Sequence, residues 1–388
     1  MSPSPKQRVL VSPLEWGLGH ATRLSRMIEI LLEKKLEVII AADGLPYNFL
    51  SEQFPDLTLV RLPIKQMRYS KGRNGFFLKF FAQLPRLFLS IHRTKKHLDK
   101  LIKDYQIDFI ISDNRYGFFH SELPSVFITH QLSPMPPEKL RFFQAAFAQL
   151  HLWILRKYDY IWVADFEGSD NVAGKLSRMQ WNNNKIRYID PLSWLETKNP
   201  APDPLSNHYD ILIMLSGPEP HRGILEEKLL TEFRDTSKSV LLLQGLPQQS
   251  KNDIRDEQIG KMRIVNHLPG GQILWHIQNT ETIICRAGVV TVFDLAVLKK
   301  SALLIPTPGQ TEQEYVAERL DKMGFFMSVK QEDFSKAHLR EHQKRSYKTF
   351  QTPEKKHLES ALAEFIEHPL SFPPADKPGQ VRGNDTVP

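Results

Sequence analysis

Short apolar runs alternate with amphipathic segments along most of this 388-residue chain. The runs are rich in Val, Ile and Leu, which is typical of strands buried on both faces of a parallel sheet. Apolar residues between Leu24 and Leu32 instead recur at helical spacing, so a helix ending near Glu33 is expected to face a core. The predicted strands are residues 8–12, 36–41, 108–111, 125–129, 160–163 and 186–189 in the first half, and 211–215, 240–244, 263–265, 282–285, 302–306 and 325–329 in the second. This alternation predicts an α/β fold with helices on both faces of each sheet.

A polar segment with closely spaced prolines, residues 191–208, separates the two sets of strands and is typical of a linker. The chain is also longer than the roughly 250–300 residues at which a single core stops growing. Both observations predict two domains. The expected units are an N-terminal domain over 1–190, the linker 191–208, a C-terminal domain over 209–350, a terminal helix within 351–370 and a disordered tail over 371–388.

Composition places the protein in a reducing compartment. Its single cysteine, Cys285, excludes an internal disulfide and reads as a small buried strand residue. The first residues are polar and Pro-rich rather than a signal peptide, and no run approaches the roughly 20 apolar residues of a spanning helix. We therefore expect a cytoplasmic protein, with any membrane contact peripheral.

Residues 65–103 carry eleven Lys and Arg residues against one acidic residue, Asp99, with Phe and Leu interleaved. Basic and aromatic residues on amphipathic helical segments suit an anionic membrane surface. A nucleic-acid partner is not expected, because base-stacking platforms are usually sheet or groove surfaces. The alternative is an ordinary helix that packs on the core and has a solvated basic face. The pattern leaves these two interpretations open.

The loop after the first predicted strand carries Gly17 and Gly19, and His20 follows at a predicted helix N-terminus. Glycines allow the backbone to approach a ligand closely, and the helix dipole disfavours the protonated imidazole. A neutral histidine of this kind is a suitable general base. The dinucleotide-binding interpretation is weaker, since Thr22 stands where a third glycine is expected. A histidine that only caps or packs is the structural alternative.

Two further predicted strands end in polar residues. Asp113 and Asn114 follow one, and His130 follows the next. Open α/β sheets bind ligands at the carboxyl ends of their strands, so these residues are candidates for the same site. His130 is a rival to His20 as the base, and a loop hydrogen-bond network is the alternative for all three.

Two loops of the second half have the composition of phosphate-binding turns. Arg286-Ala287-Gly288 connects a predicted strand to a predicted helix, and Ser216-Gly217 follows another strand. Unpaired N–H groups and the helix dipole at such a helix N-terminus attract an anion. Arg222 could add a guanidinium, and Asp294 could hold the hydroxyls of a ribose. A turn with a helix cap is the alternative for the Ser216 loop.

A third polar segment, with Gln310, Gln313 and Glu314, begins a predicted helix. Side chains such as Gln can both donate and accept hydrogen bonds with sugar hydroxyls. A solvated first turn is the alternative. No cluster of His, Cys and Asp has the spacing of a metal site, so no metal is expected.

Together these motifs resemble the donor-binding half of glycosyltransferase family 28, whose MurG-like members transfer N-acetylglucosamine from a UDP-sugar to a lipid precursor of peptidoglycan. The resemblance implies the GT-B fold, in which two Rossmann-like domains face each other across a cleft and the last helix returns to the first domain. The sequence departs from the family at Ala287, where Ser is usual, at Asp294, where Glu is usual, and at Pro218-Glu219-Pro220, where the family has a Gly-Gly-Ser-type loop.

The resemblance implies that His20 is the general base and that Gly17, Gly19, Asp113, Asn114 and His130 lie on the acceptor side. It further implies that Leu268 presents backbone to uracil. The donor-side residues it implies are Ser216, Gly217, Arg222, Leu268, Arg286, Gly288, Thr291, Asp294, Gln310, Gln313 and Glu314.

The implied activity is inverting, metal-independent transfer of a sugar, N-acetylglucosamine above all, to a cell-envelope or glycolipid acceptor. The UDP-sugar is a co-substrate, and no cofactor is expected. The alternatives are a nucleotide-sugar hydrolase or epimerase, which would need no apolar acceptor surface, and a non-catalytic nucleotide-sugar-binding protein, which would not need His20.

Overall fold

The computed structural model describes residues 6–15, 18–62, 94–136, 142, 144–179, 184–203, 208–217, 219–246, 256–351 and 356–367. The predicted tail at 371–388, Gly17 and most of the basic stretch at 65–103 lie outside these residues. Within them, the chain forms two α/β domains, each built on one seven-stranded sheet.

The first sheet is parallel throughout, with the order β3-β2-β1-β4-β5-β6-β7. The bounds of its apolar strands agree with the prediction to within about two residues. The strand β3 was not predicted, because its residues are partly exposed and form no apolar run. The strands are β1 Arg8–Pro13, β2 Glu37–Ala42, β3 Thr58–Arg61, β4 Phe109–Asp113, β5 Ser125–Thr129, β6 Tyr160–Val163 and β7 Ile186–Tyr188. The chain reverses its direction of winding between β1 and β4, which is where open α/β sheets bind ligands.

Four helices accompany this sheet in the described residues. They are α1 Gly19–Glu33, α2 Gly44–Gln53, α3 over residues 94–105 and α4 Gln144–Leu155. The apolar stripe of α1 is buried from Leu24 to Leu31, as its helical spacing predicts.

The second sheet has the order β10-β11-β9-β8-β12-β13-β14. All neighbours are parallel except β10 and β11, which form an antiparallel hairpin at the edge. The polar, exposed β10 was not expected, because neither of its faces is buried. The strands are β8 Ile211–Met214, β9 Val240–Leu243, β10 Asp256–Ile259, β11 Met262–Val265, β12 Thr282–Cys285, β13 Leu303–Leu304 and β14 Met327–Ser328. The helices are α5 His221–Phe233, α6 Gly270–Asn279, α7 Val289–Val297, α8 Thr311–Met323, α9 Ala337–Lys344 and α10 Lys356–Glu367.

The domains contact each other at several places, and two of these contacts locate the cleft. The last helix, α10, packs on the first sheet, where the Phe365 ring lies 5.2 Å from the Phe109 ring. At the other side α1 meets α7, and a Cβ placed on Gly19 would lie 3.4 Å from the Val290 side chain. Because both helices begin at the carboxyl edges of their sheets, these two edges face each other across one cleft.

Candidate active site

His20 lies on the first turn of α1 and contacts Asp113, the last residue of β4. The two residues are neighbours because β1 and β4 pair side by side. Nδ1 of His20 is 2.7 Å from Oδ1 of Asp113, and the carboxylate is fully buried. Nη2 of Arg23 lies 3.3 Å from the same nitrogen, but the contact with Asp113 is much shorter. A carboxylate oxygen only accepts, so Nδ1 carries the proton and donates it to Asp113. Nε2 of His20 is then the unprotonated nitrogen, and it has no partner among the described residues.

Arg23, one turn after His20, is the buried centre of this cluster. Its Nε donates to Oδ2 of Asp113 at 2.7 Å, and its Nη2 donates to Oδ1. The guanidinium is fully buried, so the pair is shielded from solvent. Burial alone would raise the pKa of Asp113, but Arg23 and His20 outweigh it and lower the pKa to about 2. Asp113 is therefore a permanent anion beside the imidazole.

His130, which follows β5, has both ring nitrogens engaged. Nδ1 faces Nη1 of Arg23 at 2.9 Å, and Nε2 faces Oε1 of Glu312 at 3.0 Å. Arginine only donates, so Nδ1 of His130 accepts and its proton sits on Nε2. A histidine with this pattern has no nitrogen left to take a proton from a substrate. The geometry therefore favours His20 over His130 as a base.

Burial lowers the pKa of His20, and nearby Arg23 and His130 lower it further, whereas Asp113 opposes the shift and raises it. The net shift is downward. The imidazole is thus neutral at pH 7, which is the state a general base needs. The His20 side chain remains 14% exposed, so the cleft can reach it.

The other acceptor-side candidates surround this pair. Gly19 is the first residue of α1, and its backbone lies close to the Val290 side chain. Asn114 has a left-handed φ of 53°, and its buried Oδ1 has no hydrogen-bond partner in the described part of the chain. Gly17 lies outside the described residues.

On the opposite side of the cleft, the loops after β8, β12 and β13 converge, because these strands are adjacent in the sheet. Arg286 is fully buried, and its Nη2 donates to the His221 carbonyl at 2.6 Å at the start of α5. Its Nη1 donates to the Ile305 and Pro306 carbonyls, both at 3.3 Å. Burial lowers the pKa of Arg286 to about 10, so it stays a cation held by neutral carbonyls.

Three buried polar atoms near these loops lack a hydrogen-bond partner within the described residues: Nε of Arg222, Nε of Arg286 and Oγ1 of Thr307. Arg222 otherwise pairs with two carboxylates of its own helix region, Glu219 and Glu226. Ser216 and Gly217 form the turn beside them, and Gly217 has a φ of 95° that favours glycine. Buried donors normally have partners, so this corner is suited to receive an anionic ligand.

The polar residues at the start of α8 hold their own loop. Oε1 of Gln313 accepts the Thr307 N–H at 2.9 Å, and its Nε2 donates to Gln310 at 2.7 Å. Glu314 accepts the Gly309 N–H at 2.8 Å. These side chains therefore shape the loop beside Thr307, whatever else they bind.

Asp294 on α7 faces the linker. Its Oδ1 accepts a hydrogen bond from Ser193 at 2.6 Å. Burial raises the pKa of Asp294 to about 7, although hydrogen bonds from Ser193 and Trp194 lower it in part. Gly288 is the N-cap of the same helix, Thr291 lies on its first turn, and Leu268 is buried after β11. The ribose role of Asp294 stays a prediction.

The Asp294 carboxyl gives a pH-dependent stability. Its folded-state pKa of about 7 exceeds the unfolded value of 3.8, so its contribution is complete below the lower value and is lost as pH rises through the higher one. Asp294→Asn keeps an acceptor for Ser193 without a charge. We expect the free energy of unfolding of the variant, relative to that of wild type, to rise by roughly 2–3 kcal/mol between pH 5 and pH 8. Melting temperatures across this range are the measurement, and parallel pH profiles of the two proteins would contradict the shift.

Two residues of the cluster, Arg23 and Glu312, were not predicted from the sequence. Arg23 lies three residues after His20, so both share one face of α1. An arginine inside an apolar stripe is unusual, and this feature of the sequence could have identified it. Glu312 had no such signal, because its partners are in the other domain. Across the described residues, no group of three His, Cys, Asp or Glu side chains could hold a metal ion. Likewise, none of the helices there is long and apolar enough to cross a bilayer.

Residues 234–368 match the family model described as the glycosyltransferase family 28 C-terminal domain. The second domain is therefore similar to the C-terminal domain of family 28, and this protein is a glycosyltransferase. The matched residues include β12, α7 and α8, which carry Arg286, Asp294 and the Gln310–Glu314 segment. No curated protein matches this chain in sequence.

Solved structures share the fold of this glycosyltransferase. The glycotransferase of kitacinnamycin aligns with 95% of this chain and 100% of its own, at 14% identity and a TM-score of 0.63. The glycosyltransferase SnogD from Streptomyces nogalater aligns with 95% of this chain and 96% of its own, at 16% identity and a TM-score of 0.54. MurG from Acinetobacter baumannii aligns with 87% of this chain and 89% of its own, at 16% identity and a TM-score of 0.47. Because that score is low, the fold assignment is based on the other two structures. The predicted GT-B fold, two Rossmann-like domains across a cleft, is confirmed.

Proposed function

We propose that this glycosyltransferase transfers a sugar from a UDP-sugar with inversion and without a metal ion, and that His20 is its base. The observation that carries the proposal is the His20–Asp113 hydrogen bond, which leaves Nε2 of a neutral imidazole open to the cleft. The acceptor oxygen attacks the anomeric carbon and its proton passes to Nε2 of His20. The bond to UDP breaks on the opposite face and its electron pair leaves with UDP, so the configuration inverts.

The convergent loops of the second domain support a diphosphate donor. Arg286 and the α5 N-terminus supply positive charge, and Thr307 supplies a buried hydroxyl. Preorganised donors of this kind stabilise a leaving diphosphate, which is the role of a metal in other transferases. Asp294 is proposed to bind the ribose, and the Gln313–Glu314 pair the sugar. The resemblance to family 28 favours N-acetylglucosamine.

Helix α4 supports a lipid-linked acceptor. Residues 144–155 contain no charged side chain, yet Leu150 and Trp153, three residues apart, are 39% and 54% exposed. Nearby Phe142 is 90% exposed. On its buried side, His151 is 3.0 Å from the Gln131 carbonyl beside the cleft. An exposed apolar helix next to a catalytic cleft suits an apolar acceptor or membrane surface, and the basic, Phe-rich sequence at 65–103 agrees with this.

A panel of radiolabelled UDP-sugars, incubated with the protein and either membrane lipid extract or a soluble extract, tests the proposal. We expect label to pass from UDP-N-acetylglucosamine into the lipid fraction, with EDTA leaving the rate unchanged. Transfer only to soluble material would contradict the lipid acceptor. Release of free sugar in the absence of any acceptor would instead identify a hydrolase. Loss of activity in EDTA would contradict the metal-independent mechanism.

A further inference from the structure

One face of α8 lies against the first domain along the length of the helix. Thr311 donates to the Met135 carbonyl at 3.2 Å, and Tyr315 accepts a backbone N–H at 2.9 Å. Arg319 donates to the Ser169 carbonyl at 2.8 Å. Positions four residues apart share a helix face, so α8 is a second-domain helix that is docked on the first domain.

Glu312 lies at the start of this docked face and reaches the acceptor side. Its Oε1 accepts the Nε2 proton of His130 at 3.0 Å, and its Oε2 accepts from the side-chain amide of Gln131. Both partners follow β5 in the first domain. Burial would raise the pKa of Glu312, but His130 outweighs it and lowers the pKa. The residue is thus an anion that holds two donors from the opposite domain.

A series of hydrogen bonds, each with a defined donor and acceptor, connects Glu312 to His20. Glu312 keeps the proton of His130 on Nε2, which leaves Nδ1 as the acceptor for Arg23. That bond fixes the guanidinium, whose other nitrogens hold both oxygens of Asp113. Asp113 in turn holds the Nδ1 proton of His20. Of these five hydrogen bonds, four lie within the first domain, and the fifth is the one that Glu312 makes.

We propose that Glu312 is a positioning residue that completes the alignment of His20 only when the two domains are closed. The proposal rests on the proposed role of His20 as base. Without the carboxylate, nothing holds the His130 proton on Nε2. With its proton on Nδ1, His130 would present an N–H to the guanidinium of Arg23, and Asp113 would lose part of its support. Donor and acceptor would then meet a correctly placed base only in the closed enzyme, which limits wasteful hydrolysis of the donor.

Glu312→Leu is the test, since it keeps a similar bulk and removes both acceptor oxygens. We expect kcat for sugar transfer to fall about 10-fold, the size typical of residues that orient a reactive group, with KM for the UDP-sugar nearly unchanged. The matched control is Arg319→Gln, which removes hydrogen bonds from the same docked face of α8 without touching the line to His20. Its kcat should stay near that of wild type.

A second readout does not need turnover. In protein with ¹⁵N-labelled histidine, the His130 Nε2 proton should give a protected, downfield NMR signal that Glu312→Leu loses and Arg319→Gln keeps. An unchanged kcat in Glu312→Leu, or equal loss of kcat in both variants, would overturn the proposal. If wild type turned over no UDP-sugar, the proposed function would fail, and the NMR signal alone would then decide whether Glu312 holds His130.

Discussion

His20→Ala is expected to lower kcat for sugar transfer by about 10²–10⁴-fold, the usual cost of removing a general base. Its neutral imidazole, with Nδ1 committed to Asp113, leaves Nε2 as the atom that takes the acceptor proton. UDP affinity should change little, because the candidate diphosphate contacts at Arg286 and Thr307 belong to the other domain. Calorimetry with UDP, beside a transfer assay, separates the two effects.

The pH profile sharpens this test. Because the net effect of burial, Arg23, His130 and Asp113 lowers the pKa of His20, wild-type kcat/KM should fall only on the acid side, below the ordinary histidine range. His20→Ala should lose this acid limb. His338→Ala, a histidine on the far α9 helix, is the control and should keep both rate and limb. A His20→Ala enzyme with near wild-type rate would make His20 structural.

Asp113→Asn is expected to lower kcat by up to about 10⁴-fold, the loss seen when an amide replaces the carboxylate that orients a catalytic histidine. The amide can turn its NH₂ toward Nδ1 of His20, which moves the imidazole proton to Nε2 and blocks the base. Since Asp113 has a pKa of about 2, the wild-type carboxylate is ionised at every working pH. Raising the pH should therefore not restore the variant.

Arg23 complicates the same substitution, because it would remain buried with no carboxylate partner, which typically costs about 3–5 kcal/mol of stability. Melting temperature and UDP affinity show whether the variant is folded. The deciding comparison is between the kcat values of wild type and Asp113→Asn, each calculated per folded enzyme. A folded Asp113→Asn protein with the wild-type rate would exclude the His20–Asp113 pair from catalysis.

Local pattern was sufficient for most elements of the fold. Strands such as Ser125–Thr129 and Thr282–Cys285 were predicted to the residue, because each is buried on both faces and therefore continuous in apolar residues. The exposed edge strands β3 and β10 were missed for the opposite reason. The glycine-rich loop with His20, and the donor loops around Arg286, were also visible, since turns at helix N-termini have recognisable composition.

Tertiary structure alone decided how those residues act. His20 and Asp113 are 93 positions apart, and His130 and Glu312 are 182 positions apart, so only sheet pairing and domain packing bring them together. The same packing turned Asp294 toward Ser193 of the linker and engaged both nitrogens of His130. Residue type and spacing specified which groups could do chemistry. Which nitrogen is free, and which carboxylate is paired, depend on contacts between distant segments that no local pattern encodes.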